Sequence, residues 1–166
     1  MNNNNVLNRN TSTNILVVDD DTQVADMLKN YLNGRGYAVT AVYGGREALE
    51  AFSTGDFHIV IVDMSMPDVD GMVVLKNVMK TDPAAVVIMI TGHGTIDSAV
   101  KAINHGAYDF IAKPFKWEQL EVVLCRAVER HRSRKQIGVY WGLVWLAVLP
   151  ILILIGLLLF RFFWML

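Results

Sequence analysis

The residues able to do chemistry stand directly behind short apolar runs: Asp19, Asp20 and Asp21 after "NILVV", Asp63 after "FHIVIV", Thr91 after "AVVIMI" and Lys113 after "YDFIA". Two carboxylates about 4 Å apart repel by about 4 kcal/mol at an effective dielectric of about 20. If these side chains meet, their acids outnumber the one lysine, and a fold keeps such an excess only with a counter-ion. Hard carboxylate and carbonyl oxygens suit Mg²⁺, which retains several of its waters. A divalent cation, an acid, a lysine and a hydroxyl together make a phosphoryl-transfer set. The cation and lysine neutralise charge on the equatorial oxygens, and a carboxylate can attack phosphorus and hold it as an acyl phosphate.

The elements between these residues explain how they meet. "NILVVD", "YAVTAV", "FHIVIV", "AVVIMI" and "YDFI" read as five strands, the first a valine-rich run of the kind buried on both faces. Helical spacing follows each one. Val24, Met27, Leu28, Tyr31 and Leu32 recur after the first, with Thr22 as the expected cap and Gly34 and Gly36 as the stop. Helices follow Gly44–Gly45, span about Met72 to Lys80, run through "TIDSAVKAINHG", and start near Lys116 with Leu120, Val123, Leu124, Ala127 and Val128 inward. Five β–α units in strict alternation call for an α/β fold with a five-stranded parallel, doubly wound sheet. Sites in such sheets lie beyond the carboxyl ends of the strands. That is where all the residues above stand.

Composition removes other classes. A net charge of −1 gives no reason to expect nucleic-acid binding, and the single cysteine, Cys125, excludes an intramolecular disulfide framework. Cys125 reads as a small packing residue. His58, His93, His105 and His131 lack metal-ligand spacing and read as ordinary surface or core histidines, with His93 near the mouth of the site. Gly71 reads as a turn glycine, and Met64, Met66 and Pro67 as shaping the acidic loop. The opening "MNNNNVLNRNTST" has no apolar stretch, so residues 1–13 are expected to be a disordered leader rather than a signal peptide.

The set "VVDDD", "IVDMSMPDVDG", "ITGHG" and "YDFIAKPF" resembles the receiver domain of two-component response regulators, most of all the receivers of enhancer-binding transcription activators. The spacings agree with that family: 43 residues from Asp20 to Asp63, 28 on to Thr91 and 22 on to Lys113. The resemblance covers residues 14–132 and implies a flavodoxin-like sheet of order 2-1-3-4-5. It implies Asp63 as phosphoacceptor, Asp20 binding Mg²⁺ directly and Asp19 through water, and the backbone carbonyl of Ser65 completing the protein ligands beside Asp63. Thr91 would hydrogen-bond the phosphoryl oxygens, Lys113 would pair with them, and Phe110 occupies the aromatic switch position. Asp21 has no required role there and is expected at the surface or as a cap. The Lys113–Pro114 bond is cis in the family. The partner implied is a sensor histidine kinase or phosphotransfer protein, with output by protein contacts. No external substrate is turned over, only phosphorylation and autodephosphorylation of the domain itself.

The chain continues into Ile137–Phe160, 24 uncharged residues, about 36 Å as a helix against a hydrocarbon core of about 30 Å. A transmembrane helix over residues 138–160 is expected, with Pro150 in its middle and Arg161 and "FFW" at the far interface. Arg126, Arg130, Arg132, Arg134 and Lys135 precede it against one acid, Glu129. Positive flanks stay cytoplasmic and attract anionic membrane lipid. The reading is therefore a single-pass inner-membrane protein with a cytoplasmic receiver, a basic segment over 133–137 and a far-side tail over 161–166. Gly138 and Gly142 offer a packing face, so a homodimer through the last receiver helices or the span is admitted. Gly138 is also the expected break between the two. The rival reading is a membrane-tethered adaptor or phosphate sink whose output does not depend on phosphorylation.

Overall fold

The computed structural model describes residues 13–92 and 95–165, the side chains beyond residue 133 only in part. The expected leader up to residue 12, and His93, lie outside them. Among the described residues ten elements alternate: β1 (Asn14–Val18), α1 (Thr22–Gly34), β2 (Ala38–Val42), α2 (Gly45–Thr54), β3 (Ile59–Asp63), α3 (Gly71–Thr81), β4 (Val86–Thr91), α4 (Ile96–Asn104), β5 (Asp109–Ala112) and α5 (Trp117–Met165). The strands form one parallel sheet in the order β2-β1-β3-β4-β5. This is the flavodoxin-like order that the resemblance implied.

The two-residue period of the strands splits the core into two layers. Ile15, Val17, Ile59, Ile61, Ile88, Ile90 and Ile111 face α1 and α5, meeting Leu28, Leu32, Leu120 and Leu124. Leu16, Val18, Val60, Val62, Val87 and Met89 face α2, α3 and α4, meeting Ala48, Phe52, Val74, Leu75 and Ala102. β1, β3 and β4 are buried almost throughout, whereas β2, at the sheet edge, alternates between open and covered positions. Each fully buried valine, leucine, isoleucine or methionine contributes about 1.5–3 kcal/mol, and these residues make up most of β1, β3 and β4.

Several local readings change. Asp21, not Thr22, caps α1: its carboxylate accepts from the N–H groups of Gln23 and Val24, and Thr22 is the first helical residue. Cys125 is exposed. The inward residues of α5 are Leu120, Val123, Leu124, Ala127 and Val128, and one step of about 100° past Leu124 turns Cys125 away from them. Thr13, assigned to the leader by sequence, is buried, and its carbonyl accepts from the Ala38 N–H. Gly71 has no left-handed backbone; among the described residues only Gly36 and Gly106 do. It is a close-approach residue: a Cβ there would run into the Asp63 carbonyl and the Met64 Cα.

The chain divides into two compact units, Met1–His131 and Arg132–Leu166. In the second, the helical assignment carries through Gly138, where a break was expected, and through Pro150. Leu146, Leu152, Ile153, Leu157, Phe160 and Trp164 are exposed there. Among the described residues no helix is long and apolar enough to cross a membrane. The run expected to do so lies largely outside the described side chains, as do Arg134, Lys135 and the Gly138–Gly142 pair.

Candidate functional site

The carboxyl ends of β1, β3, β4 and β5 bring the sequence-marked residues to one edge. Asp19 follows β1 and Asp63 ends β3; they are 2% and 6% exposed. Lys113, behind β5, reaches between them: its Nζ donates to Asp19 Oδ2 at 2.7 Å and to Asp63 Oδ1 at 2.6 Å. The remaining oxygens are held by backbone. The Asp21 N–H donates to Asp19 Oδ1 (3.0 Å) and the Ser65 N–H to Asp63 Oδ2 (2.7 Å). Thr91 ends β4 wholly buried, and its carbonyl accepts the Lys113 N–H at 2.7 Å. The Lys113–Pro114 bond is cis. Phe110 is partly buried against the layer facing α2, α3 and α4.

The structure thus joins Asp19, Asp63, Lys113 and the Ser65 backbone, with Thr91 alongside. Asp20, directly after Asp19, is exposed and makes no hydrogen bond with the described residues. Nor, among those residues, are three or more acidic, histidine or cysteine side chains set to hold a metal ion. The donor set nonetheless fits Mg²⁺ in kind: two nearly buried carboxylates share one ammonium, and every candidate donor is an oxygen. Burial pushes the Asp19 carboxyl above its ordinary value, and the bonds from Lys113 and the Asp21 amide do not fully offset it. Burial also works against the charged form of Lys113, but the hydrogen bonds and charges of Asp19 and Asp63 outweigh it and raise its amine above the ordinary value. The lysine is therefore firmly charged, while Asp19 remains under-compensated.

Sequence reasoning missed how the loop after β3 is fixed. Met66 is buried in the core layer beneath it. Asp70 caps α3 through the Met72 N–H (2.7 Å). Asp68 accepts from the N–H groups of Gly45 (3.1 Å) and Arg46 (3.0 Å), the first residues of α2. These amide bonds, Arg46 foremost, hold the Asp68 carboxyl below its ordinary value. The signal available was the Gly44–Gly45 pair, where a Cβ would meet the Asp68 carboxylate or the Val69 backbone.

Residues 15–124 match the family model described as the response regulator receiver domain. The chain belongs to that family, whose domains are phosphorylated on an aspartate in two-component signalling and generally bind Mg²⁺ for it. Such domains interact with histidine kinases or phosphotransfer proteins. Among its relatives is the C4-dicarboxylate transport transcriptional regulatory protein DctD of Rhizobium meliloti, 38% identical over 71% of this chain and 26% of that protein. Among solved structures, the signal receiver domain of a putative LuxO repressor protein from Vibrio parahaemolyticus superposes with a TM-score of 0.71 at 30% identity, covering 75% of this chain and 96% of the other. The beryllofluoride-activated NtrC4 receiver domain dimer gives a TM-score of 0.68 at 37% identity, over 71% and 98%. The chain spans about a quarter of the length of the curated relatives it matches.

Proposed function

We propose that this chain is a membrane-anchored receiver that accepts a phosphoryl group on Asp63. The observation that carries the reading is the Lys113 ammonium bridging the Asp19 and Asp63 carboxylates just beyond the strand ends. An Asp63 oxygen bonds to the phosphorus of a donor phosphohistidine as the P–N bond breaks; the imidazole leaves with the electron pair and takes up a proton. Lys113, already at hydrogen-bond distance, balances charge on the incoming oxygens. Thr91 donates its hydroxyl to one of them. Because Thr91 is wholly buried, that bond requires a local shift, and Phe110 lies where it would be felt.

Asp19, Asp20, Asp63 and the Ser65 carbonyl would hold Mg²⁺. The bound cation supplies charge neutralisation at phosphorus. The donor is a sensor histidine kinase or phosphotransfer protein, output is by protein contact, and the receiver dimer among the matched structures supports self-association as one form of it.

Anchoring rests on the uncharged run Ile137–Phe160, the basic residues before it and the exposed apolar side chains from Leu146 to Trp164. The receiver then faces the cytoplasm at the inner membrane. Two measurements test the whole. Intact mass of the detergent-solubilised chain after Mg²⁺ and acetyl phosphate should show one added phosphoryl group. Carbonate extraction should leave the chain in the membrane pellet and release it once residues 137–166 are deleted. A phenotype that survives Asp63→Ala but not that deletion would favour the passive adaptor instead.

A further inference from the structure

The loop from Met64 to Asp70 presents the Ser65 N–H to Asp63 Oδ2, and its other end is tied to a different helix. The tie is specific. Both carboxylate oxygens of Asp68 are used, Oδ1 by the Gly45 N–H and Oδ2 by the Arg46 N–H. The helix start is shaped to admit it. A Cβ on Gly44 would lie 2.9 Å from Asp68 Oδ2, and one on Gly45 would strike the Val69 carbonyl. Gly44 has a φ of −176°, an extended backbone open to any residue, so the Asp68 carboxylate is what an alanine at 44 would meet. The Asp68 carboxyl held below its ordinary value agrees with a fixed pair of amide donors. Further along the same helix start, the Tyr43 N–H donates to Glu47 (2.9 Å) and the Tyr43 hydroxyl to Asp26 of α1 (3.0 Å). The α2 N-terminus is thereby steadied from the α1 side while it holds the loop.

We propose that Asp68 is a positioning residue for the phosphoacceptor: clamped to the N-terminus of α2, it sets the loop so that the Ser65 backbone meets both Asp63 and the cation. This deepens the reading of Asp63 and Ser65 given above and rests on it. Asp68 touches neither the cation nor phosphorus. It acts through the path of the loop backbone rather than through charge, so its loss appears first in cation affinity.

The test uses the full-length chain in detergent, with Mg²⁺ titrated calorimetrically and labelling by acetyl phosphate followed across Mg²⁺ concentrations. Asp68→Ala should weaken Mg²⁺ binding about three- to tenfold, less than the ~10–100-fold typical of a direct outer partner of a metal ligand. The labelling rate should return to the wild-type value at saturating Mg²⁺, which a general loss of fold would not allow. Asp68→Asn, keeping one acceptor, should fall between. Gly44→Ala pushes on the same carboxylate from the helix side and should reproduce the weakening, and the double variant should be no worse than Asp68→Ala alone. Unchanged Mg²⁺ affinity in Asp68→Ala and Gly44→Ala, or effects that multiply in the double variant, would overturn the proposal. A wild-type chain that neither binds Mg²⁺ nor becomes labelled would instead overturn the phosphoacceptor reading itself.

Discussion

The two ends of the same sheet treat buried polarity in opposite ways. At the amino end, His58 is buried and its Nδ1 accepts from the Asn14 N–H at 3.0 Å, so that nitrogen carries no proton. The Asn14 side chain donates to the Asp56 carbonyl, the His58 N–H to the Asn14 carbonyl, and the His131 ring lies 4.5 Å from the His58 ring. One ring nitrogen there, Nδ1 of His131, lacks a hydrogen-bond partner among the described residues, yet no carboxylate is buried with it. At the carboxyl end, two nearly buried acids divide one lysine. At the amino end, polar groups bonded from Asn14 to His58 hold a strand in register. Polarity left in excess waits for something from outside.

That contrast can be broken in several places. The largest effect should come from Asp63→Asn, which should abolish phosphoryl uptake measured by intact mass; labelling that persists would remove the assignment. Next, Gly71→Ala forces a methyl against the Asp63 carbonyl, with backbone on both sides. It should cost about 3 kcal/mol of stability in urea unfolding, the upper part of the range for overpacking, and depress labelling as well. At the other end, His58→Ala strands the Asn14 N–H. A loss of about 1–3 kcal/mol is expected, with labelling per folded molecule unchanged; reduced labelling would erase the distinction between the two ends.

The smallest effect has the opposite sign. Asp19, its carboxyl raised chiefly by burial, costs stability when ionised. The penalty is fully present above its folded value and vanishes as pH falls below the ordinary 3.8. Asp19→Asn leaves Lys113 still paired with Asp63, so in EDTA at neutral pH it should stabilise the chain. That gain should disappear near pH 3, and the variant should lose the stabilisation that Mg²⁺ gives the wild type. Thermal melts with and without Mg²⁺ check both arms.

The order of elements and the edge they share could be read from the sequence because strands buried on both faces are unbroken apolar runs, and whatever follows them lands beyond one side of the sheet. Asp19, Asp63, Thr91 and Lys113 needed no more than that. What stayed hidden depended on contacts between distant segments. The role of Gly71 is set by the approach of the Asp63 carbonyl, and that of Asp68 by two amides more than twenty residues earlier. The choice of Asp21 over Thr22 as cap turns on one residue of register. Cys125 was misplaced for a simpler reason: apolar neighbours in a row are not neighbours on a helix face, and Val122 is exposed for the same reason.

The amide of Lys113 is fastened to the carbonyl of Thr91, so the two residues proposed to meet the phosphoryl oxygens are mounted on one strut. Neither strand tip can slide along the rim without carrying the other. Events at the rim therefore register jointly on the last two strands, and a variant that loosens either mounting should blunt both.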